Sequence, residues 1–215
     1  MDTEIVRAWV EGWATSRGAA PPMEAPWGFT VDVGLPGQVT RHVLPHADEA
    51  VIRGLVETTT APATWLKVLV APEVISPWLT PAWTFDDPGF LMSASLHTSL
   101  TDLPPGYRLR TWSRGDVIRA LVRDMDGAFA AHGQVAATAR AGSVVFDQIE
   151  TAPAHRRRGL GRAVMHALAD AAIAAGARTG VLAATAEGQG LYKSLGWTTH
   201  APLTGVFLTS ADARR

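Results

Sequence analysis

The sequence predicts an α/β protein, because strand-like and helix-like segments alternate along the chain. In the C-terminal half, an apolar strand at residues 143–151 precedes a helix that starts near Leu160 and a short strand-like run at residues 180–184. The helix carries apolar residues at the spacing of one buried face, and Gly176 is a stop signal. That face comprises Leu160, Val164, Leu168, Ala171 and Ala172.

The N-terminal half has its own helix and strand signals. Residues 3–16 predict an amphipathic helix that ends at Gly18, with an apolar stripe of Ile5, Val6, Trp9, Val10 and Trp13. A second helix is expected at residues 47–58. Strands are expected at 29–33, 38–44, 65–70 and 90–96.

A turn-rich segment at residues 103–106 predicts a boundary between two regions. We expect an N-terminal α/β accessory region at 1–102 and a second domain at 103–215. The second domain opens with four successive strands, which are expected at 107–112, 117–124, 128–138 and 143–151. Asp126 and Gly127 have the composition of a hairpin turn between the second and third of these strands.

The segment before the C-terminal helix has the composition of an anion-binding loop. Three arginines precede Gly159-Leu160-Gly161, and Arg162 follows. A helix start leaves four N–H groups without intrahelical partners and carries partial positive charge, so a phosphate group fits there. The loop departs from a dinucleotide fingerprint because Val164 occupies the third glycine position, and no Walker string occurs in the sequence.

The string from Arg156 to Gly161 fits [QR]-x-x-G-x-[GA] and resembles the acyl-CoA pyrophosphate loop of the GNAT family, the Gcn5-related N-acetyltransferases. A later string, Leu191-Tyr192-x-x-x-Gly196-Trp197, resembles the family's L-Y-x-x-x-G-[FW] motif. Together the motifs cover residues 144–197. They imply the GNAT fold, a mixed and mostly antiparallel sheet flanked by helices, with the N-terminal region as an α/β extension. That extension is expected to be either a cover for the acceptor groove or a degenerate GNAT-like partner.

The resemblance also implies an N-acetyltransferase that uses acetyl-CoA or another short acyl-CoA. Backbone groups of Ile149 and Thr151 would pair with the pantetheine arm, and the Tyr192 hydroxyl would donate to the departing thiolate. Thr185 stands where the family often has asparagine at the pantetheine turn. The pyrophosphate site would be formed by Arg156, Arg157, Arg158, Gly159, Leu160, Gly161 and Arg162.

The general base is left open by the sequence. Asp147 and Glu150 lie on the strand beside the expected thioester, an odd number of positions apart. Because side chains alternate between the two faces of a strand, at most one of them faces the acceptor unless a bulge intervenes. His97, His132 and a chain of water molecules are the alternatives. Six tryptophans among residues 1–105 could line an acceptor pocket or simply pack in the core.

Composition narrows the function classes. The net charge of −1 argues against a nucleic-acid-binding regulator, despite the local arginines. There are no cysteines, no apolar run long enough to span a membrane, and no histidines at metal-binding spacing, so we expect a cytoplasmic enzyme without a metal. Its acceptor would be a small-molecule or peptide amine, and a homodimer remains open. The rival interpretation is a non-catalytic acyl-CoA-binding or sensing protein.

Overall fold

The computed structural model describes residues 2–140 and 142–209. In this part of the chain the helices are α1 (Thr3–Arg17), α2 (Glu49–Thr58), α3 (Pro72–Ile75), α4 (Leu160–Ala174) and α5 (Ala186–Ser194). The strands of the N-terminal half are β1 (Met23–Ala25), β2 (Gly28–Leu35), β3 (Gln38–Leu44), β4 (Thr64–Val68), β5 (Trp83–Phe85) and β6 (Gly89–Ser95). Those of the C-terminal half are β7 (Tyr107–Arg114), β8 (Val117–Asp124), β9 (Phe129–Ala137), β10 (Ser143–Thr151), β11 (Thr179–Thr185) and β12 (Thr198–Leu208).

All of these strands belong to one continuous sheet. Its order is β1-β2-β3-β4-β12-β6-β11-β10-β9-β8-β7. The short strand β5 lies off this path and pairs with residues 206–208 of β12. Parallel pairing occurs between β3 and β4 and between β10 and β11, while the other pairs are antiparallel. The expected mixed, mostly antiparallel sheet flanked by helices is therefore confirmed.

The same supersecondary unit occurs twice in this sheet. The strands β2 and β3 form a hairpin, and α2 then connects β3 to its parallel neighbour β4. The strands β9 and β10 also pair antiparallel, and α4 connects β10 to its parallel neighbour β11. Each unit then receives a strand from the other half of the chain, since β6 pairs with β11 and β12 pairs with β4.

Helices α1 and α4 cover opposite faces of the central sheet. The predicted stripe on α1 packs with Val145 and Val181, and four of its five members, Val6, Trp9, Val10 and Trp13, are buried. Asp2 caps the first turn of α1, and Gly18 ends it with a left-handed φ of 64°. On the other face, α4 buries Leu160, Val164, Leu168 and Ala172 as predicted, against a cluster that includes Phe146 and Leu182.

Several elements were not predicted from the sequence. They are β1, β5, the short helix α3 and the long strand β12, which pairs with both halves of the chain. Between β7 and β10 the described residues form strands and turns without a helix, as expected. The proposed division at residue 102 stays a prediction.

Gly12 allows α1 to lie close to β10. A methyl group at Gly12 would collide with Cγ2 of Val145 and lie 2.7 Å from its Cβ. We expect Gly12→Ala to lower the free energy of unfolding by about 1–3 kcal/mol, since overpacking outweighs the gain in helix propensity. Gly54→Ala in α2 is the control, because nothing lies within 4 Å of the added methyl group, and it should stabilise by about 0.5–1 kcal/mol. Denaturant unfolding measures both, and a stabilised Gly12→Ala would contradict this packing.

Candidate functional site

The strands β10 and β11 pair over only part of their length. Their register joins residues 143–145 to residues 179–181, and no further pairs form between them in the described residues. Beyond this point β10 stays paired with β9 as far as Thr151, and β11 stays paired with β6 as far as Thr185. Beyond residue 145, β10 therefore has no strand partner on its β11 side in the part of the chain described, and Ile149 and Thr151 lie on the part of β10 next to this gap in pairing, the slot.

A β-bulge at Gln148 marks the start of the separation. Gln148 has φ 55°, and the register with β9 shifts between Asp147 and Glu150. The bulge turns Ile149 towards α4, where it packs against the core beside Gly133. A side chain at position 133 would meet Val164 at 2.8 Å, so this strand position must be small.

The bulge also places Asp147 and Glu150 on the same face of the sheet, contrary to simple alternation. Asp147 pairs across the sheet with Gln134, and Glu150 pairs with His132, two positions away on β9. Asp147 and Gln134 both contact Ser16 of α1, which identifies this face as the one covered by α1. The bulge that was needed to bring both carboxylates to one face is therefore present.

The loop after β10 leads directly into the start of α4. Arg157 and Gly159 adopt left-handed φ values of 61° and 82°, and no side chain caps the helix. The backbone N–H of Ala163 is bonded to the carbonyl oxygen of Gly159. The N–H groups of Leu160, Gly161 and Arg162 precede that bond, so they are the groups a helix start leaves available for an anion.

Neutral groups hold two of the loop arginines in place. Arg158 donates to the hydroxyl of Tyr107 at 2.9 Å, and Arg162 donates to the hydroxyl of Ser194 at 3.2 Å. Neither contact neutralises the guanidinium charge. Arg156 instead donates to the carbonyl oxygen of Thr151 at 3.3 Å and lies 3.5 Å from a carboxylate oxygen of Glu187.

Tyr192 lies on α5 within the core on the α4 side of the sheet. Its side chain is buried, with the ring 6.1 Å from that of Trp197. Burial, with a smaller contribution from the negative charge of Asp147, raises the pKa of Tyr192 to about 12. The phenol is therefore fully protonated at neutral pH. Thr185 caps the same helix, because its hydroxyl accepts from the N–H of Gly188 at 3.0 Å.

Asp147 is bound tightly to the end of α1. Arg17 donates to both carboxylate oxygens, at 2.6 and 2.9 Å, and Ser16 donates to one of them at 2.6 Å. Gln134 in turn donates to the hydroxyl and carbonyl oxygens of Ser16. These contacts join residues that are 118 to 131 positions apart and fix α1 against β9 and β10.

Glu150 remains accessible on the same face. Its side chain is 62% exposed, and one carboxylate oxygen lies 3.4 Å from Nε2 of His132. His97 is also exposed, in the segment that follows β6. The structure thus brings Asp147, Glu150 and His132 to one face of the sheet near the bulge.

A cavity of about 340 Å³ opens on this face between the end of α1, the β2–β3 hairpin and the strands β8 to β10. Its lining includes Trp13, Arg17, Arg119, Gln134 and the bulge residue Gln148. Trp13 is the one member of the six N-terminal tryptophans among the lining residues. Arg119 was not predicted as a site residue, because its position depends on the pairing of β8 with β9.

Comparison with known proteins identifies the class of this domain. Residues 118–199 match the family model described as "Acetyltransferase (GNAT) domain", while no curated protein matches the sequence. The C-terminal half therefore contains a GNAT acetyltransferase domain, as its two motifs predicted.

Solved structures extend the similarity of the fold to almost the whole chain. A GCN5-related N-acetyltransferase from Kribbella flavida has a TM-score of 0.67 at 17% identity, over 98% of this chain and 96% of its own. A GCN5-related N-acetyltransferase-like protein from Streptococcus suis has a TM-score of 0.61 at 15% identity, over 95% and 96% of the two chains. A tandem GNAT protein from the clavulanic acid biosynthesis pathway has a TM-score of 0.55 at 14% identity, over 98% and 97%.

The residues present fit an acyl-CoA. The open slot offers unpaired strand edges to an extended amide chain, and the uncapped start of α4 offers N–H groups and arginines to a pyrophosphate. In the described residues no group of three or more acidic, histidine or cysteine side chains is arranged to hold a metal ion. None of the helices described here is long and apolar enough to cross a membrane.

The raised pKa of Tyr192 can be measured directly, because the chain has only two tyrosines. In a Tyr107→Phe variant, ultraviolet difference titration should show the remaining phenol ionising near pH 12. Since the folded pKa lies above the ordinary value of about 10, the contribution of this group to stability is complete below pH 10 and is lost as the pH rises towards 12.

Removing the charge of Asp147 tests the second cause of the shift. In the Tyr107→Phe protein, Asp147→Asn should bring the titration midpoint of Tyr192 closer to the ordinary value for tyrosine. Glu150→Gln is the matched control and should leave that midpoint unchanged. A midpoint near 10 in the Tyr107→Phe protein itself would show that the Tyr192 hydroxyl is solvated.

Proposed function

We propose that the protein transfers an acetyl or other short acyl group from acyl-CoA to a primary amine, by direct attack in a ternary complex. One observation carries this proposal: the slot between β10 and β11 opens beside the uncapped, arginine-flanked start of α4. An acyl-CoA has an extended amide arm followed by a pyrophosphate group. The slot would hold the arm, and the start of α4 would hold the pyrophosphate.

The donor would be held mainly by backbone groups. Ile149 and Thr151 would pair with the pantetheine arm as a neighbouring strand does. The N–H groups of residues 160–162 would bind the pyrophosphate, with the arginine charges adding to the local field. The donor supplies a thioester, whose carbonyl carbon is open to attack by an uncharged amine.

We assign the role of general base to Glu150. Its carboxylate is accessible on the face of the sheet covered by α1, where the acceptor would bind. His132 beside it could pass the proton onward. Both oxygens of Asp147 already accept hydrogen bonds from Arg17, so the role proposed for Asp147 is to hold α1 in place. Tyr192 would donate its hydroxyl proton towards the departing sulfur. Burial keeps the phenol protonated, and a thiolate that forms beside it is destabilised by the same burial and therefore accepts the proton.

The cavity beside the bulge favours an enzyme over an acyl-CoA sensor. A sensor needs only the slot and the loop, whereas transfer needs space for a second substrate on the face where the base lies. The cavity under α1 provides about 340 Å³ of such space, within the usual range for small-molecule sites. The acceptor would be a small-molecule or peptide amine, and the absence of cysteine is consistent with a cytoplasmic location.

We propose further that residues 1–102 form a degenerate GNAT-like repeat that also covers the acceptor site. The unit β2-β3-α2-β4 repeats the unit β9-β10-α4-β11. Its helix start is closed to phosphate, because the carboxylate of Asp48 accepts from the N–H of Val51 and Glu49 follows in the first turn. The likeness to a tandem GNAT protein supports this proposal.

Acetyl-CoA should stabilise the protein against thermal unfolding, by about 2.7 kcal/mol at a concentration near 100 Kd. Arg158→Glu and Gly161→Asp should each remove most of this effect, since a carboxylate at the mouth of the loop repels the pyrophosphate. Arg178→Glu is the charge-matched control, because Arg178 is exposed beyond the opposite end of α4. Full stabilisation of both loop variants would place the donor site elsewhere.

Tyr192→Phe should lower kcat by about 10²–10⁴-fold with little change in acetyl-CoA affinity. The partner of the hydroxyl is the departing sulfur, which develops charge only as the bond breaks, whereas the ring still packs in the core. Steady-state kinetics and the thermal shift with acetyl-CoA separate the two effects. Unchanged turnover would assign protonation to water, and a large loss of affinity with normal kcat would favour the sensor.

A further inference from the structure

We propose that the acceptor amine carries a carboxylate, which binds in the cavity beneath α1. The inference rests on the proposed function, because it names the acceptor class for the same site. The charge of the cavity wall is the first observation that supports it. Arg17 and Arg119 both line the cavity, and the lining includes no acidic side chain.

Arg119 is the guanidinium best placed to meet a ligand. It lies on β8, directly across from Gln134, and its side chain is half-buried. No ion pair links it to any residue that the structure describes. By contrast, Arg17 is already engaged through Nε and Nη2 with the carboxylate of Asp147. The cavity therefore keeps an excess of positive charge.

A third guanidinium lies directly behind the wall. Arg41 on β3 is 8% exposed and stacks on the ring of Trp13, with Cζ 3.6 Å from its centroid. It donates one hydrogen bond, at 3.1 Å, to Oε1 of Gln38. Both Trp13 and Gln38 line the cavity. Burial, with a smaller contribution from Arg17, lowers the pKa of Arg41 to about 9, so this group is still charged at neutral pH.

Two buried donors, one in this wall and one behind it, have no acceptor among the described residues. They are Nε of Arg41 and Nε2 of Gln38. Buried donors that lack a partner are strongly unfavourable, more so when charged, and native proteins retain them mainly where a ligand or water completes the bonding. A group that offers several acceptor oxygens and a negative charge is therefore the complement of this wall.

The position of the cavity fixes the direction in which such an acceptor would bind. Gln148 lines one side, at the bulge where the slot begins, and Gln38 lines another. The carboxylate would lie towards Arg119 and Gln38, and the amino group would lie towards β10. The positive wall also favours the uncharged form of the amine, which is the form that attacks.

The test uses matched pairs of amines with and without the charge. The series from β-alanine to 6-aminohexanoate is compared with the corresponding carboxamides, by calorimetric titration into the CoA-saturated protein and by initial rates with acetyl-CoA. We expect at least one carboxylate to bind roughly 10- to 100-fold more tightly than its amide, as for a charge-assisted hydrogen bond. Arg119→Gln should abolish the difference.

Arg110→Gln is the matched control, since Arg110 is exposed on β7 and lies outside this cavity. It should keep the preference, and both variants should retain thermal stabilisation by acetyl-CoA, which shows that they fold. Equal binding of acids and amides, or no binding of any carboxylate, overturns the inference. Failure of acetyl-CoA to bind the unaltered protein overturns the proposed function instead, and the titrations without CoA would still measure the preference for carboxylates.

Discussion

The partial pairing of β10 with β11 is the constraint on which the candidate site depends. A strand can leave its neighbour only if its own backbone groups stay bonded on the other edge. Here β9 holds β10, and β6 holds β11 over all seven of its residues. Because β6 comes from the N-terminal half of the chain, the slot that would receive the donor is maintained by a strand outside the GNAT match at residues 118–199.

The two repeated units show how small differences decide which of them could bind an acyl-CoA. In the N-terminal unit β3 and β4 pair over five residues, whereas β10 and β11 pair over three and then separate. The helix of the first unit starts with an aspartate cap, and that of the second starts with glycine and arginines. The first unit has instead contributed strands to the sheet, with Gln38 of β3 in the lining of the cavity and Arg41 of β3 stacked on Trp13 behind it.

Local sequence signals were sufficient to place α1, α4 and the turn between β10 and α4: apolar periodicity for the helices, and the glycines and arginines for the turn. They were insufficient where the determining contact is distant. The bulge at Gln148 directly precedes Ile149, which fills the space above Gly133 on the neighbouring strand β9. It places Asp147 and Glu150 on one face, where simple alternation would put them on opposite faces. The bond between Arg17 and Asp147 spans 130 residues, so no local pattern could indicate it. The strand β12 was missed because its interrupted apolar pattern includes Pro202 next to a register shift.

The position of β12 delays completion of the sheet during synthesis. This strand spans Thr198–Leu208, yet it lies between β4 and β6, both formed from the first hundred residues. The edges of β4 and β6 therefore stay unpaired until residues 198–208 have been synthesised. Such edges can pair with other chains, so the nascent protein is exposed to misassembly until β12 has joined the sheet.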